Sequence, residues 1–379
     1  MELPCSREKG LVACLPTRKF LCLHNDMPRV NSSSTAIPDG YVIGSVAMRM
    51  LGLSRHNFDK AIEKGFISKF EDESIGKSLY RTTEIDSFMT SPEYKDMVDG
   101  RVDPRNPLND LTGKEWIPET KSYMYQHGLG ASHPHAKIEQ QHPAPYSFQD
   151  IQKLIEFFSK EGMTVLDPFG GVGSTAKACE LSGRHCISIE LSPKYHELSI
   201  RRIKEEVGEG RDANHQFINA NSCTFLPSIQ DDSVDFIVTS PPYWGILNKQ
   251  DQKVIKNRVA NNLDTKYSES NEDLGNIQDY QTFLDILCRQ IFLECARILR
   301  RDRYMAIVVS DFRDKGEFIS FHSDLIQRLN HLLIPGGAHL YLQGTKVLIQ
   351  NHKSLHPYGY PFSYVENIHH QYILIFRKK

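Results

Sequence analysis

The sequence predicts an α/β fold with a mostly parallel, doubly wound sheet, plus a small N-terminal helical domain. Three observations carry this expectation. From residue 142 onward, short apolar runs alternate with amphipathic helical stretches, the pattern of parallel strands joined by crossover helices. A glycine-rich turn, Asp167-Pro168-Phe169-Gly170-Gly171-Val172-Gly173, connects one apolar run to the next helical stretch. The length of 379 residues exceeds one ordinary domain and suits a large domain with a smaller companion.

Taken in order, residues 1–38 lack sustained periodicity and end in Asn31-Ser32-Ser33-Ser34, so they read as a flexible leader. Residues 39–92 read as a compact unit. Gly44 to Leu51 is spaced as a helix, Gly52-Leu53-Ser54 as a tight turn with Ser54 as cap, and Arg55 to Lys64 as a second helix ended by Gly65. A polar, hairpin-like stretch from Phe66 to Tyr80 and a helix from Arg81 to Met89 follow. Helix, turn, helix, wing, helix is the plan of a winged helix-turn-helix, and it resembles the modules of excisionase and MerR-type proteins. That plan turns Arg55, His56, Asn57 and Lys60 outward as DNA-contacting residues; the alternative is a plain packing domain with the same caps.

Residues 91 to about 140 are rich in Pro, Asn, Asp and His and read as linker and irregular structure. The larger domain is expected over 93–379. Its predicted helices are Ile151–Phe158, Ser174–Ser182, Tyr195–Val207 and Tyr280 to Leu299. Its predicted strands are Thr164–Leu166, Cys186–Ile189, Gln216–Ile218, Val234–Val238, Tyr304–Val309 and His370–Phe376.

Composition narrows the class. Hydrophobic residues make 40% and charged residues 24%, as in a soluble globular protein. The formal net charge of -2 removes the basic excess that would by itself point to nucleic acid, so any such contact must rest on local basic faces. The eight cysteines show no C-x-x-C spacing and read as free thiols in a reducing cytoplasm, with no metal site. No apolar run approaches a membrane span, and the leader lacks the apolar core of a signal peptide.

Two motifs carry chemistry. In the first, Gly170, Gly171 and Gly173 let the backbone turn sharply and approach a ligand at the carboxyl end of the first strand. Glu190 closes the next strand about 20 residues later, where a carboxylate can accept two ribose hydroxyls. Pro168-Phe169 before the glycines departs from the dinucleotide pattern, and no nicotinamide site is evident. In the second, Thr239-Ser240-Pro241-Pro242-Tyr243-Trp244 follows an apolar strand. Two prolines hold the chain extended and rigid, so that Ser240 and a proline carbonyl become fixed acceptors. Two acceptors can bind both hydrogens of an exocyclic NH2 and turn its lone pair towards an electrophile. Tyr243 can stack on the base, which must leave the duplex to enter.

Together the motifs resemble the amino-group-specific DNA methyltransferases, a family of restriction-modification and phage enzymes, over roughly residues 105 to 379. The resemblance implies a Rossmann-like S-adenosylmethionine-dependent methyltransferase fold. It also implies S-adenosyl-L-methionine as cofactor and Ser240, Pro241, Pro242 and Tyr243 as the catalytic turn. The implied cofactor site comprises Asp167, Phe169, Gly170, Gly171, Gly173, Ser174, Thr175, Glu190 and Asn221, with Pro143 and Tyr146 from His142-Pro143-Ala144-Pro145-Tyr146-Ser147 beside the methionine end. The serine form of the turn points to cytosine N4; the aspartate and asparagine forms are typical of adenine N6.

Two departures stand out. Relatives often carry Gly-Asp where this chain has Ala220-Asn221, so an amide carbonyl must take the adenine amine. Many relatives also place the Pro-Pro-Tyr motif before the glycine motif, the reverse of the order here.

The expected partner is double-stranded DNA, with a possible cognate restriction endonuclease and no membrane, in a bacterial or phage-encoded, cytoplasmic and nucleoid-associated setting. Target-recognition insertions are expected near 245–276, with Lys253 and Lys256 tracking phosphates, and near 343–368, with Lys346 and Lys353. Three rival readings are an adenine N6 enzyme, an RNA amino-methyltransferase, and a DNA-binding regulator with an inactive methyltransferase domain.

Overall fold

The computed structural model describes residues 37–129, 133–249, 256, 259–260, 270, 272–351 and 353–379. The predicted leader therefore lies almost wholly outside the described residues. The chain divides into two units at Val98/Asp99.

The first unit contains β1 (Tyr41–Ile43), α1 (Gly44–Leu51), α2 (Arg55–Glu63), β2 (Phe70–Asp72), β3 (Lys77–Arg81), α3 (Thr82–Met89) and α4 (Pro92–Asp99). Ser54 accepts the Asn57 amide and starts α2, as a short polar side chain at that position should. The three strands form an antiparallel sheet in the order β1-β3-β2. Ala47, Leu51, Phe58, Ile67, Ile85 and Phe88 make its core. The unit outruns the predicted boundary at residue 92. Tyr94, Met97 and Val98 of α4 pack on the same core, and the Tyr94 hydroxyl donates to the Leu51 carbonyl at 2.7 Å.

The expected linker up to residue 140 also holds regular structure: α5 (Gly113–Glu119), β4 (Tyr123–Tyr125) and α6 (Ala136–Glu139). A reciprocal Thr112–Glu115 capping box begins α5, a local signal that the Pro- and Asn-rich composition masks.

The rest of the second unit runs α7 (Phe148–Phe158), β5 (Thr164–Asp167), α8 (Ser174–Leu181), β6 (His185–Glu190), α9 (Pro193–Glu206), β7 (Gln216–Asn219), α10 (Ser222–Phe225) and β8 (Val234–Thr239). Then come α11 (Tyr280–Ile286), α12 (Leu293–Ile298), β9 (Leu299–Val309), β10 (Phe312–Asp314), β11 (Glu317–Ile319), α13 (Phe321–Leu329), β12 (Leu332–Leu333), β13 (His339–Ile349) and β14 (His370–Lys378). The long helix expected from Tyr280 is broken by a wide π turn, Leu287–Phe292, and ends one residue earlier, where β9 begins.

One sheet has the order β12-β13-β14-β9-β8-β5-β6-β7, with β4 beside β13. From β9 to β7 all neighbours are parallel, whereas β14 runs antiparallel to both β9 and β13. This is a Rossmann-like, doubly wound α/β fold. Successive residues point to opposite faces, and both faces are buried, as a doubly wound sheet requires. Val165, Phe236, Val238, Ala306 and Val308 pack against α7 on one face. Leu166, Ile237, Met305, Ile307 and Val309 pack against α11, α12 and α13 on the other. The chain runs outward from β5 to β6 and β7, then returns to β8 and β9. The crevice at such a reversal, beyond the carboxyl ends of β5 and β8, is where ligands bind in open α/β sheets. Among the described residues no helix is long and apolar enough to cross a membrane.

Candidate active site

Strand β5 ends at Asp167, whose carboxylate is fully buried. One oxygen accepts the Phe169 amide at 3.0 Å and the Thr239 hydroxyl at 2.6 Å. The other accepts the Thr175 hydroxyl at 2.5 Å and the Tyr146 hydroxyl at 2.6 Å. Burial pushes the Asp167 pKa up, and these donors oppose the shift. Asp167, Thr175 and Tyr146 therefore brace the glycine turn from below. Ser174 is buried too, and its hydroxyl accepts from Arg202 at 3.0 Å.

The turn closes over that support. The Gly170 amide donates to the Ile189 carbonyl at 2.9 Å, which lays the turn against β6. A Cβ on Gly170 would sit 2.0 Å from the Ser188 hydroxyl oxygen, so no side chain fits there. Glu190, the last residue of β6, accepts the Gly171 and Ser192 amides, each at 2.8 Å, one on each oxygen. Each oxygen keeps a lone pair for a ligand. Burial raises its pKa to about 7.

A cleft of about 650 Å³, including its open mouth, lies beyond these strand ends. His142, Phe169, Gly171, Glu190, Tyr195 and Asn221 line it, together with Ser240 and Pro242. Both motifs thus open into one cleft.

Ser240 and Tyr243 are joined across the second turn, hydroxyl to hydroxyl, at 3.4 Å. The Gln371 side-chain amide donates to the Tyr243 hydroxyl at 2.9 Å, and Gln350 donates to Gln371 at 3.2 Å. Burial raises the Tyr243 pKa, so the phenol keeps its proton. With Gln371 donating to its oxygen, the phenol can donate towards Ser240. A glutamine at the start of the mostly apolar strand β14 was a legible but unread sign of this contact. Also unassigned from sequence were Glu272 and Tyr195, both at the cleft.

Several expected roles shift. The Asn221 carbonyl oxygen caps α10 by accepting the Cys223 amide at 2.9 Å, and its amide donates to Glu272 at 3.3 Å. The carbonyl keeps its second lone pair, Asn221 lines the cleft, and a carboxylate stands beside it. Pro143 and Tyr146 do not line the cleft; their neighbour His142 does, its ring 4.7 Å from that of Tyr195. The segment carrying His142 is held by buried charges. Arg202 of α9 bridges Glu139 at 2.6 Å and Glu206 at 3.1 Å, and Lys177 of α8 bridges Glu206 at 2.6 Å and contacts His135 at 2.8 Å. Arg202 and Lys177 are both fully buried.

Among the expected DNA contacts, Arg55, His56, Lys60, Lys256 and Lys353 are exposed, and Arg55 pairs with Asp59 at 3.0 Å. Asn57 is turned inward, its amide donating to the Met97 carbonyl at 3.1 Å, so it does not face outward with its neighbours. Lys346 is buried, and its ammonium donates to the Glu119 carbonyl, so it offers no charge to a phosphate. Lys253 lies outside the described residues, as does most of the 245–276 insertion.

The chain matches the model of a family described as DNA methylase over residues 54–201, a span that holds the glycine turn and stops short of Ser240. It is 38% identical over 71 residues to the orphan methyltransferase M.BamHII of Bacillus amyloliquefaciens, covering 19% of this chain and 27% of that protein. It is 33% identical over 89 residues to the Type II methyltransferase M.BglI of Bacillus subtilis, covering 22% and 26%. The chain thus spans about a quarter of the length of these relatives. Among solved structures it is similar to TrmN from Thermus thermophilus, with a TM-score of 0.37 and 15% identity over 61% of this chain and 48% of that one.

Proposed function

We propose that the chain is an amino-group-specific DNA methyltransferase and that it methylates cytosine N4 in duplex DNA, using S-adenosylmethionine, after the base swings out of the helix. The observation that carries this reading is the shared cleft, lined by Glu190 and Gly171 together with Ser240 and Pro242. When bound, S-adenosylmethionine supplies a methyl group on a positively charged sulfur, which is electrophilic without further activation.

The residues present fit that donor. Gly170 seats the turn close on β6, where a Cβ would meet the Ser188 hydroxyl, and Gly171 lines the cleft. Glu190 has one free lone pair on each oxygen for the two ribose hydroxyls. Glu272, beside Asn221, adds a second acceptor next to the Asn221 carbonyl.

At the second turn, Ser240 and the Pro241 carbonyl accept the two hydrogens of the base amine and aim its lone pair into the cleft. Tyr243, fixed through Gln371, holds the Ser240 hydroxyl in place and offers its ring to the base. The protein's contribution is alignment, since in-line methyl transfer gains most from a near-attack geometry. Exposed Arg55, His56 and Lys60 of the N-terminal unit, with Lys256 and Lys353, supply phosphate contacts.

The test is to incubate mixed-sequence plasmid DNA with the protein and isotopically labelled S-adenosylmethionine, digest it to nucleosides and identify the labelled one. N4-methylcytosine is expected. N6-methyladenine would overturn the cytosine assignment, and label entering only an RNA comparator would overturn the DNA substrate.

A further inference from the structure

The segment between β13 and β14 leaves much apolar surface in water. Leu355 is 79% exposed, Tyr360 80%, Phe362 94% and Tyr364 86%. A contiguous group of this kind on a folded protein marks a contact surface. The segment is nonetheless built rather than loose. At its base, Asn367 and His356 exchange two hydrogen bonds, at 2.9 and 2.8 Å. At its tip, the Gly359 carbonyl accepts the Phe362 and Ser363 amides, each at 2.8 Å. Gly359 has a φ of +72°, and a Cβ there would lie 2.4 Å from the Ser363 carbonyl, so the turn depends on glycine. The protein holds these rings outward in a defined arrangement without burying them.

Position in the fold identifies what they meet. The segment leaves β13 after Ile349 and enters β14 at His370, which pairs with Ile349 two residues before Tyr372 pairs with Val309, the last residue of β9. Gln371, next in sequence, touches the Tyr243 hydroxyl of the Pro-Pro-Tyr turn. The rings therefore rise from the same end of the strands as the Pro-Pro-Tyr turn. A protein docked on them would obstruct the opening through which a base must enter. A base stack would not, because an everted base leaves a gap of aromatic thickness between its former neighbours.

We propose that the Tyr358–Tyr364 tip enters the duplex, with Phe362 filling the gap that the target base leaves and Tyr360 packing on the flanking base pair. This rests on the DNA-methylating reading above.

Two measurements test it separately from that reading. The first is binding of the full chain to a short duplex with one abasic position and to the same duplex intact. A filled gap predicts a preference of about tenfold for the abasic duplex, lost in Phe362→Ala and kept in Phe362→Trp. Equal affinity for both duplexes in the unaltered chain, or a preference that survives Phe362→Ala, overturns the proposal. The second is methyl transfer to a mixed-sequence plasmid, duplex or heat-denatured. Phe362→Ala and Tyr360→Ala should slow transfer about tenfold or more on duplex DNA and within about threefold on denatured DNA, where no stack needs opening. Equal losses on both would assign the rings to the base pocket and overturn the proposal. Absence of transfer by the unaltered chain would overturn the enzymatic reading, while the binding measurement would still decide the wedge. Both side chains are solvent-exposed, so neither variant should disturb folding.

Discussion

The Thr239 hydroxyl donates to the Asp167 carboxylate at 2.6 Å. This bond ties the last residue of β8 to the last residue of β5, and so ties the two motifs to each other from beneath the cleft. Thr239→Val keeps the shape and removes the donor, leaving that buried oxygen with the Phe169 amide alone. A buried acceptor losing one of its donors costs about 1–3 kcal/mol. Thermal denaturation should show a melting point lower by several degrees, and calorimetry a weaker affinity for the donor. An unchanged melting point would show that the bond is dispensable.

Glu190 makes donor binding depend on pH. Its pKa of about 7 in the free protein leaves it mostly ionised at pH 8 and mostly protonated at pH 6. Ribose hydroxyls donate to the ionised form and favour it. Affinity is therefore full above pH 7 and falls as pH drops through that range, by about tenfold between pH 8 and 6. Titration calorimetry with S-adenosylhomocysteine at several pH values should show this. Glu190→Gln should bind more weakly and with little pH dependence.

Ser240→Ala should separate chemistry from binding. The missing acceptor leaves the base amine free to rotate, and such loss of alignment costs about 100-fold in rate. Donor affinity should be unchanged. Gln371→Leu should act more mildly, lowering kcat about tenfold by freeing the Tyr243 hydroxyl. If Gln371→Leu instead altered donor affinity, the hydrogen-bond chain through Tyr243 would not be its route of action.

Gly170→Ala places a methyl group 2.0 Å from the Ser188 hydroxyl oxygen. The turn must shift away from β6, and donor uptake should fall sharply. Adding Ser188→Gly removes the obstructing side chain and should recover much of the affinity. Two changes that merely add would show that this contact is not the reason for the glycine.

Much of this site was legible because its signals are local. Pro-Pro fixes a backbone wherever it occurs, and Gly170 through Gly173 announce a close approach before any partner is known. The apolar runs at 164–166 and 234–238 locate β5 and β8 because strands buried on both faces need continuous hydrophobic residues. What sequence could not supply depends on distant partners. Lys346 looked like a phosphate contact until the fold closed over it and gave its ammonium to Glu119, 227 positions away. Asn57 carries an outward-facing residue type on an outward-facing helix, yet α4, which composition disguised as linker, takes its amide. Asn221 also starts α10 with its side chain, a cap that nothing in Ala220-Asn221 reveals.

The ion pairs that hold the His142 segment have an experimental corollary. Lys177 and Arg202 meet Glu206 and Glu139 out of reach of dissolved counterions, which attenuate charge pairs only where solvent can enter. Contacts between exposed lysines and phosphates have no such shelter and weaken steeply as electrolyte is added. Strong brine should accordingly strip nucleic acid from the protein while leaving the small-molecule compartment intact, so that the two occupancies can be titrated one at a time on a single preparation.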